Sequence, residues 1–361
     1  MAQSRVSCPV RGKFTAELDV QGVSLTSGGI SLHDGNLPLR RLGTGSARLL
    51  VSALQHDAGP PHIAIIDEIE HGLEPHRVAR LLKYLKTPKV NEGAGQPQIF
   101  ATTHSPVVIR ELTAADIFAV RAKGGTTTVA SVAATAKDPD TAQRHLRGTP
   151  EAFLVRKVIV GEGRTEQGIA RGLDDWWQTL EEDSFALQSV VAIDGGGKDN
   201  APLVAEHLRD LGYDVFLLLD SDEPPNQDAL KRAKDKGAVV HQWPDECSTE
   251  ERLFLDLPWD SVRAMIKLAV DFNGQFSVMA VMDNALSAAG QPTATDAKLG
   301  HDRDSEQVRR ILGKVAKDKS WFKDITRGET LSAVIGPNLA AIPNTPLAKG
   351  IVAIRNWVDG A

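Results

Sequence analysis

Cysteine clusters are missing from this sequence. Its 361 residues include two cysteines, Cys8 and Cys247, too few for a disulfide framework or a zinc site. A reduced, cytoplasmic setting is therefore expected. No apolar run is long enough to span a membrane, so no membrane partner is expected. The N-terminus, Met1-Ala2-Gln3-Ser4-Arg5, is not followed by the apolar stretch of a secretory signal. Global positive charge is absent too. The formal net charge is −6, so any nucleic-acid contact has to come from local patches. Internal repeats and low-complexity tracts are not found. What remains has an ordinary globular composition, 42% hydrophobic and 24% charged, and enough length for two domains with separate cores.

The first block runs to about residue 136. Ile63-Ala64-Ile65-Ile66 reads as a short buried strand ending in Asp67-Glu68. A helix is expected from Pro75 to Lys86, with Val78, Leu81, Leu82 and Leu85 at helical spacing. Asn91 to Gly95 reads as a loop. Gln98 to Thr102 reads as the next strand, closing on Thr103-His104-Ser105-Pro106. Asp116–Val120 and Thr126–Val132 suggest a hairpin around Gly124-Gly125. Residues 137–150 are polar and read as a linker. Strands and helices then alternate over residues 151–247: strands at Val155–Val160, Ser189–Ile193, Val215–Leu219 and from Val239, with helices between them. Such a series predicts an α/β domain with a doubly wound parallel sheet. Residues 248–361 have helical periodicity.

Two acidic clusters sit at the ends of these strands. Val160-Gly161-Glu162-Gly163-Arg164-Thr165-Glu166 follows the first, and Leu219-Asp220-Ser221-Asp222 follows the third. Open parallel sheets present their ligands at strand C-terminal ends, so both clusters are expected on one sheet edge. Glu162 and Glu166 are one helical turn apart and can share a face. Four carboxylates gathered there repel one another unless a cation intervenes. Oxygen ligands of this kind suit Mg²⁺ or Mn²⁺. Each cluster alone also fits a solvated helix start, where acids favour the macrodipole.

The paired clusters resemble the metal site of TOPRIM domains, found in topoisomerases, primases and OLD (overcoming lysogenization defect) family nucleases. The first block resembles the C-terminal part of an ABC-type ATPase domain. There Asp67 and Glu68 match the end of a Walker B strand, for Mg²⁺ binding and water activation respectively. His104 matches the switch histidine that contacts the γ-phosphate, and Glu70 to Pro75 fills the D-loop position. Leu42-Gly43-Thr44-Gly45-Ser46 resembles a degenerate signature loop, with Gly43, Gly45 and Ser46 as its nucleotide-facing residues. The combination resembles the OLD family from about Leu39 to the C-terminus.

That resemblance implies a DNA endonuclease using two Mg²⁺ or Mn²⁺ ions under ATPase control. It assigns Glu162, Glu166, Asp220 and Asp222 to the metals, with Asp194 of Ile193-Asp194-Gly195-Gly196-Gly197-Lys198 supporting them. A further acid is expected at Glu250 or Glu251; adjacent residues on a helix cannot both point inward, and Glu251 is preferred. Lys323, in Trp321-Phe322-Lys323-Asp324-Ile325, matches a functional lysine, although a solvated lysine is the plainer reading. Homo-oligomerisation, as a dimer through the ATPase or helical region, is implied as well.

One element of the ATPase pattern is absent. No Gly-x-x-x-x-Gly-Lys-Ser/Thr occurs: Gly12-Lys13 lacks its partners, and Gly196-Gly197-Lys198 is followed by Asp199. ATP binding is therefore expected only if a missing N-terminal segment completes the domain; otherwise it has been lost. Two other functions compete with the nuclease. One is an ATP-dependent, DNA-bound repair or maintenance protein without cleavage. The other is a primase-type nucleotidyl transferase, against which the lack of a zinc cluster counts. The only tyrosines, Tyr84 and Tyr213, sit in a helix and beside a core strand, which disfavours a topoisomerase.

Overall fold

The computed structural model describes residues 14–18, 30–34, 36–57, 63–86, 98–136, 139–294 and 299–360. Gly12-Lys13 and the loop expected at 91–95 lie outside them. The chain divides into two compact units. One comprises residues 1–117 and 146–150, the other 118–145 and 151–361.

In the first unit, β1 (Phe14–Leu18), β2 (Ile30–Asp34) and β3 (Leu37–Pro38) form an antiparallel sheet. Helix α1 (Thr44–Asp57) follows. Next come β4 (Ile63–Ile66), α2 (Pro75–Lys86), β5 (Gln98–Ala101) and α3 (Pro106–Glu111). Strands β4 and β5 pair in parallel, Ile63 opposite Gln98 and Ile66 opposite Ala101. Proline opens α2, where its missing N–H costs nothing, and Val78, Leu81 and Leu82 turn inward to meet Leu49, Ile69 and Val108. Ser105 caps α3 by accepting the Val107 N–H. One expectation is corrected here. Strand β4 is not buried: Ile63 and Ile65 are 58% and 82% exposed. Alternation along a strand sends side chains to opposite faces, and it is Ile66 that packs on the helices.

The second unit begins with the hairpin β6 (Phe118–Lys123) and β7 (Thr126–Ser131), which the sequence grouped with the first block. It is followed by α4 (Val132–Thr135) and by residues 139–145 of α5 (Pro139–Gly148), a helix in the stretch read as a polar linker. Arg121 lays its guanidinium over the Tyr213 ring at 3.9 Å and donates to the Val155 carbonyl at 2.9 Å. The body of the unit is a four-stranded parallel sheet of β8 (Lys157–Gly161), β9 (Val190–Asp194), β10 (Asp214–Leu219) and β11 (Val239–Gln242), in the order β11-β10-β8-β9. Helices α6 (Arg164–Thr179), α7 (Ala201–Asp210) and α8 (Gln227–Asp235) connect them. Residues Val215–Leu219 are buried throughout, as expected of a strand covered on both faces.

Among the described residues, six further α-helices close the unit: α9 (Thr249–Asp256), α10 (Trp259–Asn273), α11 (Gln275–Ala288), α12 (Glu306–Asp318), α13 (Ile325–Asn338) and α14 (Pro346–Asp359). Their apolar faces join the sheet in one core containing Ile159, Phe216, Leu253, Leu312 and Ile335. Helix α13 lies against α6 at very short range. A Cβ placed on Gly168 would fall 2.2 Å from the Ile325 carbonyl oxygen, and one on Gly328 would fall 2.7 Å from that of Thr165. Only glycines permit this approach. It fixes the segment before α13, which carries Lys323, beside the start of α6.

Candidate metal centre

Strands β8 and β10 are neighbours, with Leu218 opposite Gly161. The acids following them therefore meet at one sheet edge. They open on a cavity of about 640 Å³ lined by Glu162, Glu166, Asp194, Asp220, Asp222 and Glu250, with Arg164, Lys198, Lys317 and Lys323 among its cations. Six of the seven acids proposed from the sequence thus share one space.

Their orientation is set by hydrogen bonds from the loops that carry them. Glu162 Oε2 accepts the Asp220 N–H at 3.1 Å, joining the two acidic clusters. Glu166 Oε2 accepts the Gly163 N–H at 2.7 Å, within its own helix start. Asp220 Oδ1 accepts from both the Thr249 N–H (2.9 Å) and the Thr249 hydroxyl (2.8 Å). Asp194 Oδ1 accepts the Gly196 N–H at 2.8 Å, and its other oxygen faces Arg164 at 3.5 Å. Thr165 donates its hydroxyl toward both Glu250 Oε1 and the Phe322 carbonyl, each at 3.3 Å. It thereby links an acid of the cavity to the backbone next to Lys323.

The preference for Glu251 is corrected. Ser248 and Glu251 form a reciprocal capping box at the start of α9, with the Ser248 N–H donating to Glu251 Oε2 at 2.9 Å and the Glu251 N–H to Ser248 Oγ at 3.2 Å. Ser-x-x-Glu ahead of an apolar run is the signature of that cap. It leaves Glu250 to face the cavity, only 7% exposed.

Crowding shows in the proton affinities. Burial raises the Glu162 carboxyl to about 7, helped by the charges of Glu166 and Asp222. Glu250 also rises to about 7, through burial and then Glu166. Asp220 is pushed well above the usual carboxylate range by burial and by Glu166, Glu162 and Glu250. Glu166 shifts the same way, chiefly through burial. Hard oxygen donors that destabilise one another's charge are chemically suited to a divalent cation. Among the described residues, no three acidic, histidine or cysteine side chains form a ready-made metal-binding group. The donor set fits an ion; the ligand shell is not closed. Sequence reasoning missed Lys317, which pairs with Asp222. It lies on an amphipathic helix far along the chain, with no local motif to mark it. Lys198 was visible only as the end of the glycine-rich motif; here it pairs with Asp199 and Glu223 at 3.5 Å.

In the first unit, Asp67, Glu68 and His104 are exposed just beyond the C-terminal ends of β4 and β5. The Thr102 hydroxyl joins two of them, donating to Asp67 Oδ1 at 2.5 Å and accepting the Glu68 N–H at 2.8 Å. Glu68 has φ 45°, a strained value for a residue with a side chain, and its carboxylate lies 3.2 Å from His71. Glu70 holds the histidine loop by accepting from the Thr103 hydroxyl and the His104 N–H, each at 2.7 Å. Gly43, Gly45 and Ser46 lie at the start of α1, where Gly45 packs on the Gly72 backbone and Arg77 reaches Ser46 Oγ at 3.5 Å. Arg48 donates to the Asp67 carbonyl.

Two family models match the chain. Residues 26–110 match the AAA domain described as putative AbiEii toxin, type IV TA system. Residues 153–222 match the TOPRIM domain of overcoming lysogenization defect protein-like sequences. In this order they define an AAA-type ATPase region followed by a TOPRIM domain. The two matches give the chain an AAA-type ATPase region and, after it, a domain similar to the OLD-like TOPRIM domain. Among solved structures, it is similar to the C-terminal region of the Burkholderia pseudomallei OLD protein, at 17% identity and TM-score 0.34, over 56% of this chain and 98% of that one. The C-terminal region of the Xanthomonas campestris pv. campestris OLD protein is similar at 14% identity and TM-score 0.28, over 51% and 96%. A structure described under ATP-driven dimerization and DNA-stimulated activation of SMC ATPases is similar at 18% identity and TM-score 0.24, over 35% and 78%. No curated protein matches.

Proposed function

We propose that this chain is a metal-dependent DNA endonuclease whose cleavage site is the carboxylate cavity of the second unit, under the control of the AAA-type region. The observation that carries the proposal is the convergence of Glu162, Glu166, Asp194, Asp220, Asp222 and Glu250 with three lysines on a single cavity. Glu162, Glu166, Asp220 and Asp222 would hold Mg²⁺ or Mn²⁺, with Glu250 and Asp194 supporting them. Such ions, when bound, would supply an activated water and a stabilised leaving oxygen. The protein groups do the rest. Thr249, Gly163 and Gly196 hold the carboxylates in place. Lys323 offers its ammonium to the scissile phosphate, where charge develops. Lys198, which also lines the cavity, suits a neighbouring phosphate.

In the first unit, Asp67, Glu68 and His104 are assigned to nucleotide, with Gly43, Gly45 and Ser46 at the dimer-facing loop. Because no phosphate-cradling motif occurs in the sequence, the chain alone is expected to show no appreciable ATP turnover by phosphate release. Turnover abolished by Glu68→Gln would refute this. The nuclease assignment is tested with supercoiled plasmid DNA, Mg²⁺ or Mn²⁺, with and without nucleotide. Nicking that requires metal and disappears in Lys323→Ala and Glu162→Gln supports it. Intact plasmid under every condition favours a non-cleaving, DNA-bound role.

A further inference from the structure

One contact in the cavity is not used by the chemistry above. Lys317, in the last turn of α12, extends its ammonium onto Asp222 Oδ2, with the two side chains 35% and 14% exposed. By contrast, Lys198 turns to Asp199 and Glu223, which are 69% and 63% exposed. Lys317 is thus a cation already seated on one of the carboxylates assigned to metal. The charges of Asp220 and Glu251 also act on it, so the ammonium lies within the field of the acidic cluster.

A dication and an ammonium cannot occupy the same face of one carboxylate oxygen, and at such range they repel. We propose that Lys317 is a built-in competitor for divalent metal at Asp222: it neutralises that carboxylate in the metal-free protein and has to withdraw as the ion binds. It thereby sets the metal concentration at which the site fills. This inference rests on the cavity being a metal site. The residue type suits the role. A lysine head is a point charge on a flexible four-carbon stem, whereas arginine would grip the carboxylate with a rigid fork. Its helix is anchored independently: a Cβ on Gly313 would fall 2.8 Å from the Glu251 Cα. Release therefore needs only a side-chain movement. It also frees an ammonium at the cavity wall as the carboxylates become occupied.

The test is calorimetric titration of Mn²⁺ into wild type, Lys317→Met, Lys317→Gln and Lys314→Met, with far-UV circular dichroism to establish that each is folded. Methionine keeps the stem and removes the charge. Lys314 is an exposed lysine of the same helix, outside the cavity lining. Both Lys317 variants are expected to bind Mn²⁺ about tenfold more tightly than wild type, and Lys314→Met to match wild type. In thermal melts, Lys317→Met should gain more than wild type from the same Mn²⁺ addition. Wild-type or weaker affinity in both Lys317 variants overturns the inference and leaves the metal site standing. Equal tightening by Lys314→Met also overturns it, since general charge removal would then suffice. Absence of Mn²⁺ binding in wild type and all variants overturns both the inference and the metal-site assignment.

Discussion

At the scale of single residues, the cavity presents stored charge repulsion. Asp220 is the sharpest case, because its carboxyl is buried among three other acids while also receiving two hydrogen bonds from Thr249. Asp220→Asn keeps an acceptor for those donors and removes the charge. It is expected to raise the metal-free melting temperature by about 2–4 °C while reducing cleavage more than about a hundredfold; paired melts and plasmid assays check both. Proton linkage gives a second expectation. Glu162 and Glu250 stand at about 7 when folded, against 4.5 for an ordinary glutamate carboxyl. Between those values the folded state holds more protons than the unfolded one, so this contribution to stability falls as pH rises. Metal requires the deprotonated ligands. The gain in melting temperature from saturating Mn²⁺ should therefore grow between pH 4.5 and pH 7, as measured by melts with and without the ion. A constant gain across that window would count against these carboxylates as ligands.

At the scale of elements, the sequence showed the strand ends well and the tertiary partners poorly. Glu162, Glu166, Asp220 and Asp222 were legible because an apolar run followed by acids marks both a strand and its exit. Glu250 was not separable from Glu251, since both start the same helix and only the reciprocal bond with Ser248 assigns the second to capping. Lys317 could not be seen at all: its meaning depends on α12 reaching the β10 edge, a contact between distant segments. The exposure of Ile63 and Ile65 was missed for a related reason, as four apolar residues in a row do not say which face is covered. The α6–α13 contact offers a test at this level. Alanine usually stabilises a helix interior relative to glycine. At Gly168 the sign should reverse, because the new methyl meets the Ile325 carbonyl. Gly168→Ala is expected to cost about 1–3 kcal/mol in urea unfolding and to reduce cleavage by displacing the Lys323 segment. A stabilised variant would contradict the packing described.

For the whole molecule, the question is how much chain the nuclease unit needs. The hairpin Phe118–Ser131 and helix α4 belong with the parallel sheet by contact. Arg121 covers Tyr213, and the carbonyl of Val132, itself fully buried, lies 3.0 Å from His207 Nε2. A chain from Phe118 to Ala361 should therefore fold and keep metal-dependent nicking. One from Glu151 to Ala361 should melt about 5–10 °C lower, which differential scanning calorimetry would show. Equal melting of the two would mean that the hairpin adds nothing to the sheet. The adjacency of β8 and β10 has a further consequence, visible in mutational terms. Both acidic clusters are aimed by strands whose side chains alternate between faces, so a codon lost inside Asp214–Leu219 would invert every later residue of that strand. It would pull Asp220 and Asp222 out of register with Glu162 together. The same loss in the loop after Asp222 would leave the pair where it is. In-frame deletions should thus divide sharply along a few codons, abolishing the site on one side of Asp222 and sparing it on the other.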